Sequence, residues 1–356
     1  MAAALLAAIL FFSVEANAVS AEKAIVTDAD TGRVLYEKNA DSCSLIASTT
    51  KIMTALIVCE QSNVLDRVRI PKEAVGIEGS SLYLKEGEVL TIQELLYGLM
   101  LHSGNDAAVA LAIYCGGTIE GFVQQMNDKA RIIGLTQTHF QNPHGLDTPQ
   151  HYSTARDLAV LAGYAMKNPL FRQTVSTKTA SITNRTLRNH NKLLWRVNGV
   201  DGVKTGYTKA AGRILVSSAC RDGRRLVTVT INAPSDWLDH EKLYADGFSR
   251  YSQLLVVSKG EHLGYVDVSG GDEVRVSLIA AEDLRCTLAD WEIPTVALQD
   301  FGVVYAPVSE GETAGVAYVL VDNVVIGKVS VLFGQTVEQV KTEQIPFWKK
   351  LFGRGN

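Results

Sequence analysis

Two runs near the middle of the chain, Arg213-Ile-Leu-Val-Ser-Ser-Ala219 and Arg225-Leu-Val-Thr-Val-Thr-Ile231, stand a short turn apart. Their density of aliphatic and β-branched residues predicts paired strands of a buried sheet. A second strand-turn-strand unit is predicted from Ala24 to Tyr36, with Ala29-Asp30-Thr31-Gly32 as the turn. Between these two strand regions the periodicity is helical. Helices are expected over Thr50–Glu60, with Met53, Leu56 and Ile57 on one face, over Ile92–Leu101 and Asp106–Ile113, and over Glu120–Ile133, which Gly134 stops. A last helix is expected from Trp237 to Leu255. Strands on both sides of a helical block imply a mixed α/β unit: an antiparallel sheet flanked by helices, plus a helical subdomain.

After about Ser258 the texture changes. Strand patterns follow at short intervals at Glu273–Ile279, Thr295–Leu298, Gly315–Val321 and Val324–Leu332, and Asp322-Asn323 reads as a hairpin turn. No long helix is expected there. The reading is a first domain over residues 22–255 and a small C-terminal all-β domain over residues 259–336.

The ends differ from both. Met1 to Phe12 is an apolar run closed by Ala16-Asn17-Ala18, a small-x-small pattern, so residues 1–18 read as an export signal too short to span a membrane with confidence. No Lys or Arg precedes the run; either the start lies upstream or the α-amine is the only positive charge. In the tail, residues 340–356, helical spacing puts Phe347, Trp348, Leu351 and Phe352 on one face beside Lys349, Lys350 and Arg354. That pattern fits a segment lying on a membrane surface.

Charge narrows the function class. The formal net charge is -4, whereas a nucleic-acid binder carries a basic excess. The five cysteines are scattered without a C-x-x-C. Cys59 and Cys115 sit among aliphatics as small core residues, and the sequence leaves open whether any two cysteines pair.

Three short motifs then occur in order: Ser48-Thr49-Thr50-Lys51, Ser103-Gly104-Asn105 and Lys204-Thr205-Gly206. Each alone is weak; a chain of this length holds roughly one S-x-x-K by chance. Ser20-Ala21-Glu22-Lys23 is such a match, but no apolar helix follows it. Singly, Ser103-Gly-Asn105 is a plain interhelical turn and Lys204-Thr-Gly a plain strand end. The order of all three gives them weight.

A serine hydroxyl needs a base, and residues i and i+3 at a helix start share a face, so Lys51 can reach Ser48. The amine must first lose its proton, which burial or a second cation such as Lys204 promotes. Ser103 can relay a proton to a leaving amine, Asn105 can hold a substrate amide, and Lys204 with Thr205 offers a charge and a hydroxyl to a carboxylate. Gly206 lets a ligand backbone approach. This chemistry calls for no cofactor and no metal.

The triplet resembles the penicillin-recognising serine enzymes. Longer strings are similar to the low-molecular-mass D-alanyl-D-alanine carboxypeptidases: Ala47-Ser-Thr-Thr-Lys-Ile-Met-Thr54, His102-Ser-Gly-Asn-Asp-Ala-Ala108, Phe140-Gln-Asn-Pro-His-Gly-Leu146, His151-Tyr-Ser-Thr-Ala155 and Gly199-Val-Asp-Gly-Val-Lys-Thr-Gly-Tyr-Thr208. The likeness runs from about Glu22 to about Leu255. It implies the transpeptidase/β-lactamase-like fold and an acyl-enzyme on Ser48, with Lys51 taking the proton. It also implies oxyanion donors at the N–H groups of Ser48 and Tyr207, and a peptidoglycan stem peptide as substrate. β-Lactams would acylate the same serine. The enzyme would be exported and act at the outer face of a bacterial cytoplasmic membrane, touching it through the tail. One departure stands out. Some relatives carry an Arg between the two asparagines of Asn189-His190-Asn191, where it helps hold the carboxylate; here it is His190, and Arg213 is an alternative cation.

Three other readings compete with this one. A serine β-lactamase shares the motifs, but no Glu-x-x-x-Asn cluster lies between the second and third, and the extra β domain and tail argue against it. A peptidoglycan-binding scaffold with a silent site is opposed by the intact Ser48 and Lys51. A metallopeptidase built on His139, His144, Asp147 and His151 lacks a compact helical metal pair.

Overall fold

The computed structural model describes residues 19–341. The expected export signal, residues 1–18, and nearly all of the basic aromatic tail lie outside the described residues. The chain divides into two compact units at Ser249 and Arg250.

The first unit opens with strands β1 (Lys23–Asp28) and β2 (Val34–Lys38), joined by the expected turn. A 3-10 turn at Ala47–Thr50 leads into α1 (Lys51–Gln61). The small hairpin β3 (Arg67–Arg69) and β4 (Val89–Thr91) precedes helices α2 (Ile92–Leu101), α3 (Asn105–Gly116) and α4 (Ile119–Ile133). Thr91 and Glu94 form a reciprocal capping box on α2, and Gly134 ends α4 in the left-handed conformation. Then come α5 (Ala155–Ala165), α6 (Pro169–Ser176), the hairpin β5 (Thr179–Ile182) and β6 (Arg185–Arg188), and the short α7 (Leu193–Arg196). Strands β7 (Val200–Thr208), β8 (Gly212–Arg221) and β9 (Arg224–Ile231) complete the sheet, and α8 (Asp236–Arg250) closes the unit.

The sheet is antiparallel throughout, in the order β2-β1-β9-β8-β7. Alternation along its strands feeds two cores. Ile25, Ile214, Val216, Val227 and Val229 face the helical layer with α5. Ala24, Val26 and Leu226 face Leu243 and Tyr244 of α8. Helix α3 is apolar around its circumference, and Asn105 to Ala112 are all buried, so it forms the centre of the helical layer. That position carries its first turn to the floor of the site.

The helix expected from Trp237 to Leu255 ends at Arg250. Tyr251–Val257 is instead a strand, β10, paired with β13 (Leu284–Ala289). Leu254 and Leu255 extend the helical apolar pattern in sequence, yet both are exposed on β10, and pairing with β13 overrides their helix propensity.

The second unit is all-β, as expected. Beside the β10–β13 pair it holds β11 (His262–Ser269), β12 (Arg275–Ala280), β14 (Thr295–Leu298), β15 (Val303–Tyr305), β16 (Thr313–Val321) and β17 (Val324–Phe333). These six form one sheet in the order β14-β16-β17-β12-β11-β15. Asp322 and Asn323 both take positive φ in the β16–β17 turn, as a two-residue hairpin requires. Strands β10, β11, β13 and β15 were not read from the sequence. In β11, His262 and Gly264 occupy the positions that would continue the inward face, and Val266 and Val268 alone mark it as buried.

None of the five cysteines forms a disulfide. Burial, and then the neighbouring Glu60, push the Cys59 thiol up to about 12, the behaviour of an inert packing residue.

Candidate active site

Ser48 lies in the 3-10 turn rather than in the α-helix itself. In that tighter winding, residues i and i+3 stack one over the other, which brings Lys51 under Ser48. The two threonines between them close the turn: Thr49 Oγ1 donates to the Ile46 carbonyl at 2.6 Å and Thr50 Oγ1 to the Ala47 carbonyl at 2.9 Å. Ala47 takes φ +44°, a left-handed conformation that costs an alanine energy and is held by its surroundings. One constraint is Gly145. A Cβ there would stand 1.8 Å from the Ala47 oxygen.

Lys51 Nζ is 3.0 Å from Ser48 Oγ. The same nitrogen donates to Asn105 Oδ1 and to the His144 carbonyl, each at 2.7 Å. Lys51 is 0% exposed, and Ser48 is half-buried at the cleft wall. Burial pulls the Lys51 amine well below its ordinary value; the charge of Lys204 pulls in the same direction, and Asp106 opposes them. A neutral amine has two hydrogens and one lone pair. In that neutral form the two carbonyl oxygens can take the hydrogens, which leaves the lone pair for the Ser48 proton.

Ser103 and Asn105 flank the start of α3. Ser103 adopts φ +67° and is nearly buried. Asn105 is fixed at both ends of its amide, its Nδ2 donating to the Glu78 carbonyl at 2.5 Å while its Oδ1 accepts from Lys51. The next residue, Asp106, was missed by the sequence reading. Its buried carboxylate accepts from Ser81 Oγ at 2.7 Å and from the N–H groups of Leu82 and Leu84 at 3.1 Å each. It therefore holds the segment carrying Ser80, which lines the cleft. An aspartate in the first turn of a helix is so ordinary that no sequence signal marks it.

Lys204, Thr205, Gly206 and Tyr207 lie on β7, the outer strand of the sheet. Lys204 is 1% exposed, and burial brings its amine down to about 7; Nζ donates to the Thr205 carbonyl at 3.0 Å. A Cβ on Gly206 would be 3.3 Å from Ala47 Cβ and 3.4 Å from Ser48 N, so the strand runs tight against the nucleophile turn. A cleft of about 330 Å³ opens there, lined by Ser48, Ser103, Thr205, Gly206, Tyr207 and Trp237 among others. Lys51, Asn105 and Lys204 lie beneath this wall, so all eight residues picked from the sequence converge on one place.

His190 reaches the same cleft. Asn189 and Asn191, both buried, fix the loop on either side: Asn189 Nδ2 donates to the Val175 and Thr177 carbonyls, and Asn191 Nδ2 to the Gly202 carbonyl. Partial burial, then the charges of Lys204 and His102, lower the His190 imidazole to about 4, so it presents a neutral ring. Arg213 also lines the cleft, in a two-bond pair with Asp236 at 2.8 and 2.9 Å.

His144 and His151, two of the metallopeptidase candidates, are bound up in scaffolding. His151 Nδ1 accepts from the Gln141 N–H at 3.1 Å, which leaves its Nε2–H for Thr50 Oγ1 at 2.7 Å. His144 contributes its carbonyl to Lys51 and accepts the Leu146 N–H on Nδ1. Thr54 Oγ1 donates to the Pro143 carbonyl at 2.6 Å, so the 140–146 loop is laced to α1. The chance match Ser20–Lys23 is also resolved. Ser20 Oγ donates to Asp239 at 2.7 Å, and Lys23 turns to Ser44 and Cys43.

Fold and site together define a serine hydrolase. Comparison with known proteins narrows this. The D-alanyl-D-alanine carboxypeptidase family profile matches residues 11–235, and that of the C-terminal domain of penicillin-binding protein 5 matches residues 251–339. The chain is 31% identical over 353 residues to the D-alanyl-D-alanine carboxypeptidase DacF of Bacillus subtilis, covering 94% of this chain and 89% of that protein. It is 36% identical over 328 residues to DacC of Escherichia coli, covering 85% and 80%. Penicillin-binding protein 5 of Haemophilus influenzae superposes with a TM-score of 0.78 at 29% identity, over 90% of this chain and 98% of that one. The chain belongs to the D-alanyl-D-alanine carboxypeptidase family.

Proposed function

We propose that this enzyme removes the terminal D-alanine from peptidoglycan stem pentapeptides through an ester on Ser48. The observation that carries the reading is the buried Lys51 amine, 3.0 Å from Ser48 Oγ and bonded to the Asn105 and His144 carbonyls, with its pKa pulled down by burial. Lys51 takes the Ser48 proton as Oγ attacks the carbonyl of the penultimate D-alanine. The N–H groups of Ser48 and Tyr207 receive the oxyanion, a role supported by the close passage of Gly206 beside Ser48 N. Asn105 orients both Lys51 and the substrate amide. Ser103 returns the proton to the departing amine, and Lys204 and Thr205 hold the D-alanine carboxylate. Water then attacks the ester, and Lys51 again serves as base. A β-lactam presents a strained amide to the same serine and forms a slowly released ester. His190, being neutral, takes no part as a fixed cation; Arg213 stands in the cleft wall as the further positive group.

The substrate lies outside the cytoplasmic membrane. The Ala16-Asn17-Ala18 pattern supports export, and the basic aromatic tail supports contact with the membrane surface.

The test incubates wild type and Ser48→Ala with a D-Ala-D-Ala-ended pentapeptide and with a labelled penicillin. Wild type should release D-alanine and take the label covalently, and Ser48→Ala should do neither. A mutant that still does either would refute the mechanism. Rapid turnover of the penicillin would favour a β-lactamase.

A further inference from the structure

The six-stranded sheet of the second unit has β14 at one edge and β15 at the other, yet a short connector, Gln299 to Gly302, joins those two strands. The sheet therefore curls until its edges approach. The end of β14 packs on β11 through a missing side chain: a Cβ on Gly264 would stand 2.8 Å from Leu298 Cδ1. A groove of about 450 Å³ lies between the connector and β11. It takes no part in the chemistry at Ser48.

The groove pairs an aromatic ring with planar polar groups. Tyr265 is 63% exposed, and its ring leans on that of His262 with centroids 4.6 Å apart. Asp267, next on the same face of β11, accepts from Arg275 Nε at 2.8 Å, so the two charges neutralise one another. On the connector side, Gln299 Oε1 accepts from the Val316 N–H at 3.2 Å and Asp300 Oδ1 from the Gly302 N–H at 2.9 Å. These bonds fix the polar groups before any ligand arrives. A matching ligand shows C–H faces to the ring and hydroxyl or amide groups to the polar edges, without strong charge of its own. That is the chemistry of a sugar. The row also continues past the groove. Ser269 of β11 aligns with Tyr305 of β15, which is 77% exposed. From Tyr265 to Ser269 the strand advances about 13 Å, and β15 lies about 4.8 Å to the side, so the two tyrosines stand about 14 Å apart. An aromatic ring, an ion pair and a second aromatic ring in line suit an extended chain of sugars.

We infer that this face of the second unit binds the glycan strand of peptidoglycan, the polymer of N-acetylated amino sugars from which the stem peptides hang. The rings of Tyr265 and Tyr305 stack on sugar faces, and Asp267 and Arg275 bond the hydroxyl and acetamido groups between them. The choice of this polymer rests on the carboxypeptidase reading, which makes its stem peptides the substrate. A hold on the strand keeps successive stem peptides at high effective concentration for the same enzyme molecule.

The test measures binding of a peptide-free tetrasaccharide of N-acetylglucosamine and N-acetylmuramic acid by equilibrium dialysis, and D-alanine release from a soluble pentapeptide. Full-length wild type is compared with Tyr265→Ala, Tyr265→Phe and Arg275→Gln. Wild type should bind the tetrasaccharide. Tyr265→Ala and Arg275→Gln should each weaken binding about fivefold to tenfold, and Tyr265→Phe, which keeps the ring, should stay within about twofold. D-Alanine release should change less than about twofold in all three. Arg275 has a side chain 65% exposed, so its replacement leaves the fold intact and decides the matter should Tyr265→Ala disturb the strand. Wild type that releases D-alanine but does not bind the tetrasaccharide at millimolar concentration would overturn this inference alone. So would a folded Tyr265→Ala or Arg275→Gln that binds as wild type does, since the sugar would then be held elsewhere. Wild type that binds the sugar with the expected losses in the variants, yet releases no D-alanine, would remove the carboxypeptidase reading and leave the sugar site standing.

Discussion

The side-chain carbonyl of Asn105 accepts a hydrogen bond from the Lys51 amine at 2.7 Å, joining the second motif to the base of the first. The base is thus positioned by α3 as much as by its own helix. Its protonation state depends on that sealed setting, and so does the pH response of the enzyme.

Penicillin acylation should follow a bell-shaped pH profile. The rising limb tracks loss of the Lys51 proton, since the base works only when neutral. The falling limb tracks loss of the Lys204 proton near about 7, since the carboxylate contact needs the ammonium. Lys204→Arg keeps its charge and should remove the falling limb. Second-order acylation rates from about pH 5 to about pH 9 check this; an identical alkaline fall in the variant would contradict it.

Asp106→Asn should fold and lose activity. The amide offers one acceptor oxygen where four donors now converge, three of them from the 81–84 segment, so that segment loosens. A cost of about 1–3 kcal/mol in stability is expected, with kcat/KM down about tenfold or more. Removing the carboxylate also removes the group that raises the Lys51 pKa, so the acid limb of the profile should move to lower pH. A limb that moves upward would show the assignment to be wrong.

Two glycine substitutions should separate stability from catalysis. Gly145→Ala places a Cβ 1.8 Å from the Ala47 oxygen at φ +92°, and should cost about 3 kcal/mol or more. Gly206→Ala meets its nearest atoms at 3.3–3.4 Å and should cost about 1 kcal/mol or less, yet it presses on Ser48 N and should slow acylation about tenfold. Denaturant midpoints and acylation rates measured on both variants decide the matter.

Acid should weaken the fold through its buried histidines. His240 is fully buried between Ser217 Oγ at 2.6 Å and Thr230 Oγ1 at 2.9 Å, and burial lowers its imidazole to about 3. His151, lowered to about 4 by burial and then by His139, behaves alike. The unfolded chain takes up a proton below about pH 6.5 that the folded chain refuses. Stability from each histidine is therefore complete above about pH 6.5 and falls by up to about 1.4 kcal/mol per pH unit down to the folded value. Replacing His240 with Gln should flatten the decline in unfolding free energy between about pH 6 and about pH 4. An unchanged slope would exclude His240 as a source.

The parts of the site that bear chemistry on a side chain were legible, because Ser48, Lys51, Ser103 and Lys204 recur in a fixed order of short motifs. Asp106, Gly145 and the His144 carbonyl were not singled out. Gly145 acts by its lack of a Cβ and His144 by its backbone carbonyl, while Asp106 acts through a carboxylate whose partners in the 81–84 segment lie more than twenty residues away. His144 and His151 drew notice as metal ligands, since a histidine in sequence shows its ring and not the backbone N–H that ring will accept. In the fold, β1, β2, β8, β9 and helices α1 to α4 followed from periodicity, whereas α5 and α6 were not read from the sequence. Strand β10 did not, because Leu254 and Leu255 look helical until the partner strand β13 is in place.

The turn from His102 to Asp106 has no spare position. His102 faces a neighbouring cleft and Ser103 the catalytic one. A Cβ on Gly104 would stand 2.9 Å from Asp106 Oδ1; Asn105 holds the base, and Asp106 holds the neighbouring loop. Four side chains around one glycine point to four destinations, so inserting or deleting a residue would re-aim every one after it. The turn can change its side chains one at a time but not its length. It is a largely buried turn in which evolution must work by replacement alone.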